Sequence, residues 1–452
     1  MTQPLGCFKS YDVRGRLGIE LDENIAVRIG RAFGRVMGPG TFVTGRDVRQ
    51  SSAGLQEALI AGLMAEGCTA LDIGLCGTEE VYFATDHLGA DGGLMVTASH
   101  NPIDYNGIKM VRAGARPIAA DTGLAHIQTL AEADDFGPAR TGARETIDPR
   151  AAFVAHVAGY VDPAGLRPLR ILVNAGNGAA GPTFDALAAA LDVPWDWVRM
   201  HHTPDGSFPN GIPNPLLSDN QPATAAAVRH EQTDLGIAWD GDFDRCFFFD
   251  ETGAFIDGEY VVALLAQAFL AKESGARIVH DPRVIWNTQA IVAAGGGQAI
   301  MSRTGHAYLK ALMRECDAAY GGEMSAHHYF RSFMYCDSGM IPALLVAELV
   351  ARSDRPLSQM VAQMRSAFPS SGEINFTPAD IDGAIAAFEA RYLPDAIHSD
   401  RLDGLSLDMG QWRVNLRRSN TESLLRLNLE TRGDGDLLTK KTAEIAQLIA
   451  RF

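Results

Sequence analysis

One rhythm limits the possible folds more than any other feature. A short β-rich run, an Ala-rich helical run and another β-rich run recur along the chain. "TFVTG" precedes "SSAGLQEALIAGLMAEG", whose helix formers end on Gly67 as a plausible C-cap, and "TALDIGL" and "GGLMVTAS" follow. The pattern returns at "RILVNAG", "GPTFDALAAALD" and "DLGIAWD", and again at "YVVALLAQAFLAKES", "ARIVHD" and "QAIMSRTG". This is the signature of parallel α/β structure, repeated as architecture without a strict sequence repeat.

After about residue 366 the texture changes. "FPSSGEINF" reads as a linker. "QWRVNLRRSNTESLLRLNLET" reads as two alternating strands about a polar turn, and "LLTKKTAEIAQLIARF" as a closing helix. The expected fold class is therefore α/β, with three similar α/β domains plus a C-terminal α+β domain. The expected domains are 1–145, 146–252, 253–366 and 367–452. The length of 452 residues agrees, since about 150 residues per domain gives three domains, or four small ones.

Composition excludes several classes of function. A net charge of −16 argues against a nucleic-acid or anionic-membrane binder, which carries a basic footprint. It leaves room for an anionic small substrate in a local basic cleft. The six cysteines are scattered, with no C-x-x-C pair, as reduced thiols are. The opening "MTQPLGCFKSYDVRG" has no apolar core of a signal peptide. The longest apolar runs, "YVVALLAQAFLA" and "MIPALLVAELVA", are about a dozen residues each, too short to span a bilayer. The expectation is a cytoplasmic protein.

Four clusters carry chemistry. In "VTASHNPIDYNGIK", Ser99 is a weak nucleophile unless a base or a field activates it. His100 and Asn101 could orient or polarise it, and Lys109 could neutralise a phosphate; the plain alternative is a capped turn. In "AWDGDFDRCFFF", Asp240, Asp242 and Asp244 alternate just after a strand. Three such carboxylates repel unless a cation lies among them, and hard oxygens suit Mg²⁺ or Ca²⁺. An EF-hand loop is a rival, because Glu251 is twelfth from Asp240. Arg245, however, stands sixth, where that loop needs glycine, and "CFFFDETGAF" reads as strand and turn. In "GGEMSAHHYF", Glu323, Ser325 and His327 alternate, and would share one face if the segment is extended. In "RRSNTESLLR", Arg417, Ser419, Asn420 and Thr421 are read as a tight turn able to cradle a phosphate. Weaker basic or polar groups are Tyr11 and Arg14, Arg46 and Arg49, and His306 and Lys310.

Taken in order, "TASHNP", "DGDFDR", "GEMSAH" and "RRSNTE" resemble the signature loops of the α-D-phosphohexomutase family, the phosphoglucomutase and phosphomannomutase superfamily. The resemblance covers essentially the whole chain. It implies four domains around a central cleft. It implies that Ser99 is a phosphoserine in the resting enzyme, and that Asp240, Asp242 and Asp244 hold Mg²⁺ together with a phosphate oxygen on that serine. Glu323, Ser325 and His306 would bind the sugar. Arg417, Ser419, Asn420 and Thr421 would grip the phosphate that is not reacting. Arg245 and Lys109 would balance charge in the transition state, and Arg14, Lys109 and His327 would be the proton-transfer candidates. His100, Tyr11, Asn101 and Arg283 complete the set. The implied reaction converts a hexose 1-phosphate to its 6-phosphate through a hexose 1,6-bisphosphate that turns end for end. Closure of the site against water is expected.

The sequence departs from the family pattern twice. Ala326 stands where many members have glycine, and Arg283 where many have lysine, a change conservative only in charge. "GEMSAH" followed by "HHYF" looks most like bacterial members that act on mannose phosphates and feed GDP-mannose synthesis. Members that prefer glucose phosphates, or accept both, are the nearest alternative. A metal-dependent phosphatase is more remote, and a calcium-binding module rests on the Asp240 loop alone. Partners are small hexose phosphates, with no nucleic acid and no membrane, and the chain is expected to be a monomer or homodimer.

Overall fold

A computed structural model describes residues 4–9, 11–419 and 424–452. The chain divides into two compact units. One runs to Phe255 and takes in His327–Asp354, and the other comprises Ile256–Ala326 and Arg355–Phe452.

The first unit contains two mixed sheets. In spatial order the first is Val13–Arg16, Tyr105–Arg112, Gly92–Val96, Thr41–Arg46, Thr69–Leu75 and Ala143–Thr146. From Gly92–Val96 to Ala143–Thr146 neighbouring strands are parallel, and the first two strands run antiparallel. Consecutive residues on each inner strand point to opposite faces. Phe42, Ala70 and Leu94 therefore join the core beneath the helices Glu23–Met37, Ser52–Ala65 and Leu124–Ala133. Val43, Leu71 and Met95 join the core beneath the helix Thr78–His87. Burial on both faces explains why these strands read as apolar runs without clean alternation.

The helices Glu23–Met37 and Ser52–Ala65 cross at glycines. A Cβ on Gly62 would lie 2.2 Å from the Val27 carbonyl oxygen, and one on Gly30 would lie 2.3 Å from that of Leu59. Backbone therefore packs on backbone at the crossing.

The second sheet includes Cys246–Asp250, Leu235–Trp239, Leu169–Asn174 and Trp195–Met200, in that order. The pairing of Cys246–Asp250 with Leu235–Trp239 is antiparallel, and Leu169–Asn174 pairs in parallel with both of its neighbours. A short loop can join antiparallel strands, whereas parallel ones need a crossover. Both sheets use this rule at the same kind of place. The loop after Gly92–Val96 and the loop after Leu235–Trp239 each reverse the chain at a strand's carboxyl end.

The second unit pairs Arg277–His280 in parallel with Gln298–Met301 on one side and Tyr320–Gly322 on the other. It also holds an antiparallel sheet in the order Ser370–Phe376, Leu425–Thr431, Trp412–Arg418, Leu405–Asp408 and His398–Asp400. Its core is built from Leu405, Leu407, Val414, Leu416, Leu427 and Leu429 with Phe388, Ile445 and Ile449 from the helices Ile381–Tyr392 and Gly435–Ile449. The expected hairpin is present as Trp412–Arg418 against Leu425–Thr431. The expected linker is not one: "SSGEINF" forms the strand Ser370–Phe376, with a register shift between Ser370 and Glu373 and Gly372 at φ +63°. Its serines, glycine and bulge hide the alternation by which a strand is recognised.

Two stability predictions follow from this packing. Gly62→Ala must push the two helices apart and should destabilise the fold by about 1–3 kcal/mol, read as a lower denaturation midpoint. The second concerns Glu259, which is buried at the start of the helix Gly258–Lys272. Burial, reinforced by Asp257, pushes its carboxyl up to about 7. The folded chain thus keeps a proton that the unfolded chain releases from about pH 4.3 upward, so this group's contribution falls as pH rises toward 7. Relative to the parent, Glu259→Gln should gain in melting temperature between about pH 4 and pH 7, the window between the two pKa values. A constant difference across that range would contradict it.

Candidate active site

Ser99 follows the strand Gly92–Val96 at φ +48°, a left-handed conformation uncommon for a residue with a Cβ. Its own N–H donates to Thr97 Oγ1 at 2.9 Å. Its Oγ donates to Asp240 Oδ2 at 2.6 Å and lies 3.0 Å from His100 Nδ1. The loop is fixed from behind by Arg49. That guanidinium is 2% exposed and donates to four carbonyls, those of Ser99, Asn101, Pro102 and Tyr105. Four acceptors on one planar fork hold the turn more tightly than its own backbone bonds would. Arg14 donates to Asn101 Oδ1 at 2.9 Å and to Asp12 Oδ2 at 2.8 Å. Tyr11 is half-buried two residues before the strand Val13–Arg16.

Asp240, Asp242 and Asp244 are all buried, and one oxygen from each lies within 4.8 Å of the others. Lys109 projects from the strand Tyr105–Arg112 and donates to Asp242 Oδ2 at 2.8 Å and Asp244 Oδ2 at 2.6 Å. Thr78 Oγ1 donates to Asp242 Oδ2 at 2.5 Å. Arg245 pairs with Asp240 Oδ2 at 2.8 Å and also donates to His100 Nδ1.

Three buried carboxylates with two cations leave the cluster short of positive charge. Burial opposes ionisation of Asp242, but Lys109 overrides it and holds that carboxyl well below its usual range. Burial and the Asp242 charge push Asp244 up to about 6. Asp242 Oδ1 and Asp244 Oδ1 are buried without a hydrogen-bond partner. Unpaired buried carboxylate oxygens are costly, and a small hard cation among them would remove that penalty. The donor set therefore fits Mg²⁺. The EF-hand alternative fails on geometry, because Cys246–Asp250 is a strand where an exiting helix would be required.

His327 belongs to the same unit, where its backbone bridges to that of Arg245. Its Nδ1 lies 3.0 Å from Asp337 Oδ2. Burial disfavours its charge, yet Asp337 and then Asp244 outweigh burial and raise its pKa.

In the second unit, Glu323 and Ser325 follow the strand Tyr320–Gly322. The segment is not extended, so the condition for Glu323, Ser325 and His327 to share one face is not met. Met324 and Ser325 form a turn, and Ala326 sits at φ +69°. That conformation is the physical reason a glycine suits the position. Asp281 Oδ2 accepts from the Met324 N–H at 2.9 Å, and Glu323 Oε1 accepts from the Gly305 N–H at 2.9 Å. The latter bond anchors the start of the helix His306–Cys316, whose first residue is the half-buried His306 and which carries the fully buried Lys310. Arg283 donates to Asp281 Oδ2 at 2.6 Å and reaches Ser325 Oγ at 3.4 Å.

Arg417 is not on the turn, as its motif suggested. It lies within the strand Trp412–Arg418, 2% exposed, directly opposite Arg426. Ser419 follows, its N–H donating to the Leu424 carbonyl. Asn420 and Thr421 lie outside the described residues. Thr78, Asp337 and Glu373 escaped the sequence reading, since nothing in "CGTEE", "YCDSG" or "SSGEINF" marks them. Arg49 showed only as one of a pair of basic residues.

Known proteins resemble this chain over nearly its whole length. Domain I of the phosphoglucomutase/phosphomannomutase family, an alpha/beta/alpha domain, matches residues 6–137, domain II matches 151–253 and domain III matches 257–368. A phosphomannomutase of Salmonella montevideo is 56% identical over 451 residues, covering 98% of this chain and 99% of the relative. Phosphohexose mutases of Xanthomonas campestris are 56% identical over 450 residues, covering 99% of this chain and all of theirs. A crystal structure of a phosphoglucomutase/phosphomannomutase family protein from Burkholderia thailandensis superposes with a TM-score of 0.86 at 30% identity, covering 98% of this chain and 96% of that one. Identity at this level, sustained over nearly the full length of both partners, means that the chain belongs to the phosphoglucomutase/phosphomannomutase family.

Proposed function

We propose that this protein is a Mg²⁺-dependent phosphomannomutase. It interconverts mannose 1-phosphate and mannose 6-phosphate through a phosphoserine at Ser99 and a hexose 1,6-bisphosphate, and it supplies GDP-mannose synthesis in the cytoplasm. The observation that carries the reading is the buried Ser99 Oγ, 2.6 Å from Asp240 within a cluster of three carboxylates. The identity with curated phosphomannomutases supports the choice of sugar.

The residues divide the work. Arg49 fixes the loop, so that Ser99 Oγ keeps one position through both phosphoryl transfers. Asp240, Asp242 and Asp244 would hold Mg²⁺, which when bound neutralises charge on the transferring phosphoryl group. Lys109 and Arg245 add fixed positive charge around the equatorial oxygens, where most of the stabilisation of phosphoryl transfer arises. In the forward direction the free 6-hydroxyl oxygen bonds to phosphorus as the bond from phosphorus to Ser99 Oγ breaks. The hydroxyl proton passes to a group drawn from Arg14, Lys109 and His327, and of these only an imidazole exchanges a proton readily near neutrality. The bisphosphate then turns over, and its 1-phosphoryl returns to Ser99. Glu323, Ser325 and His306 would hold the sugar. Arg417 and Ser419, with Asn420 and Thr421, would hold the other phosphate. The reading includes a four-domain plan of 1–145, 146–252, 253–366 and 367–452, and a monomer or homodimer.

With Mg²⁺ and a trace of glucose 1,6-bisphosphate, ³¹P NMR of a mixture of mannose 1-phosphate and glucose 1-phosphate should show mannose 6-phosphate growing faster. Equal growth would mean dual specificity, and inorganic phosphate alone would make the protein a phosphatase. Ser99→Ala should lower turnover by at least about a thousandfold. Arg417→Ala should raise KM about ten- to a hundredfold, with a smaller change in kcat.

A further inference from the structure

The second unit surrounds Arg417 with a charge cluster whose other members, Glu373 and Arg426, the reaction scheme does not use. Arg417 and Arg426 face each other directly on neighbouring strands, a like-charge pair that is destabilising by itself. Arg283 adds a third guanidinium, and its charge, after burial, pushes the Arg417 pKa down. One carboxylate touches all three, although Arg283 is paired with Asp281 as well. Glu373 Oε2 accepts from Arg417 Nη2 at 2.8 Å and lies 3.5 Å from Arg283 Nη1, while Oε1 lies 3.3 Å from Arg426 Nη1. Burial works against the charge of Glu373, but the three arginines outweigh it and keep its pKa below the usual value.

The backbone is shaped to deliver this side chain. Glu373 follows the bulge in the strand Ser370–Phe376, and such bulges re-aim side chains. The bulge is buttressed by the neighbouring strand Leu425–Thr431. Asn428 Nδ2 donates to the Gly372 carbonyl at 3.0 Å, and Ser371 Oγ accepts from the Leu429 N–H at 2.9 Å. Arg417 is only 2% exposed, yet its Nε has no hydrogen-bond partner. Glu373 thus occupies one corner of the guanidinium and leaves another donor open for an oxyanion.

We propose that Glu373 is a positioning residue for the phosphate grip. It holds Arg417 against the repulsion of Arg283 and Arg426, with the open Nε donor presented to a substrate phosphate. The proposal rests on the phosphate-gripping reading of Arg417 given above. Without the carboxylate, Arg417 would be a buried cation facing two others, and it would swing away from its binding position.

The test is a double-mutant cycle on the full chain, with mannose 1-phosphate as the varied substrate and Mg²⁺ and glucose 1,6-bisphosphate held constant. Glu373→Gln keeps the shape and removes the charge, and should raise KM about tenfold with kcat little changed. Glu373→Asp keeps the charge and should recover part of that loss. Added to Arg417→Ala, Glu373→Gln should raise KM no further, since it acts through that arginine. A KM that falls or stays constant in Glu373→Gln, or an additive double mutant, would overturn the proposal. An unchanged KM in Arg417→Ala would overturn the phosphate-gripping reading instead. Melting temperatures near that of the parent show that each variant is folded.

Discussion

The structure around Ser99 depends on the confinement of negative charge. Asp240, Asp242 and Asp244 are buried side by side, and neither Lys109 nor Arg245 satisfies all their oxygens. A protein this acidic overall must build positive charge locally wherever it is to hold a phosphate. It does so by setting cations against the aspartates: the partly buried Lys109 arrives from one sheet of the first unit, while the buried Arg245 follows the aspartates on the other. The two sheets are thus tied through ion pairs, Lys109 to Asp242 and Asp244, and through the bond from Ser99 to Asp240. The carboxylates that would hold a cation also fix Ser99 Oγ in place.

Strain marks the same loops. Ser99 at φ +48°, Phe243 at φ +47° and Ala326 at φ +69° each adopt a left-handed conformation, one in each of three signature loops. Such residues persist only where the surroundings over-determine them. At Ser99 the surroundings are Arg49 and Thr97. At Phe243 they are complete burial and the close approach of Gly77, where a Cβ would meet the ring at 2.3 Å.

Much of this was legible in the sequence, and the limits have physical causes. The α/β rhythm was readable because inner strands are buried on both faces and short. The aspartate cluster was readable because unbalanced charge beside an apolar strand demands an explanation. The strand Ser370–Phe376 was not readable, because a bulge erases the two-residue period. The alternation at Glu323, Ser325 and His327 left the conformation of Met324–Ala326 open, because alternation of polar residues is shared by strands and by irregular turns. Arg417 was placed on its loop because motif and turn overlap in sequence, whereas the ladder carries the strand one residue past it. Arg49, Thr78, Asp337 and Glu373 act through partners distant in the chain, so no local pattern could have revealed them.

The two departures from the family pattern make sense together. An alanine at φ +69° carries a penalty of about 1–2 kcal/mol relative to glycine. The loop bears it because it is held at both ends of its turn: the Ala326 N–H donates to the Glu323 carbonyl at 3.0 Å, and the Met324 N–H donates to Asp281. Asp281 is in turn fixed by Arg283, which binds it through Nε and Nη2 and still reaches Ser325 and Glu373. A lysine, with one charged nitrogen and no fork, could not bridge all of these. The arginine at 283 thus fixes Asp281, and Asp281 holds the turn that carries Ala326.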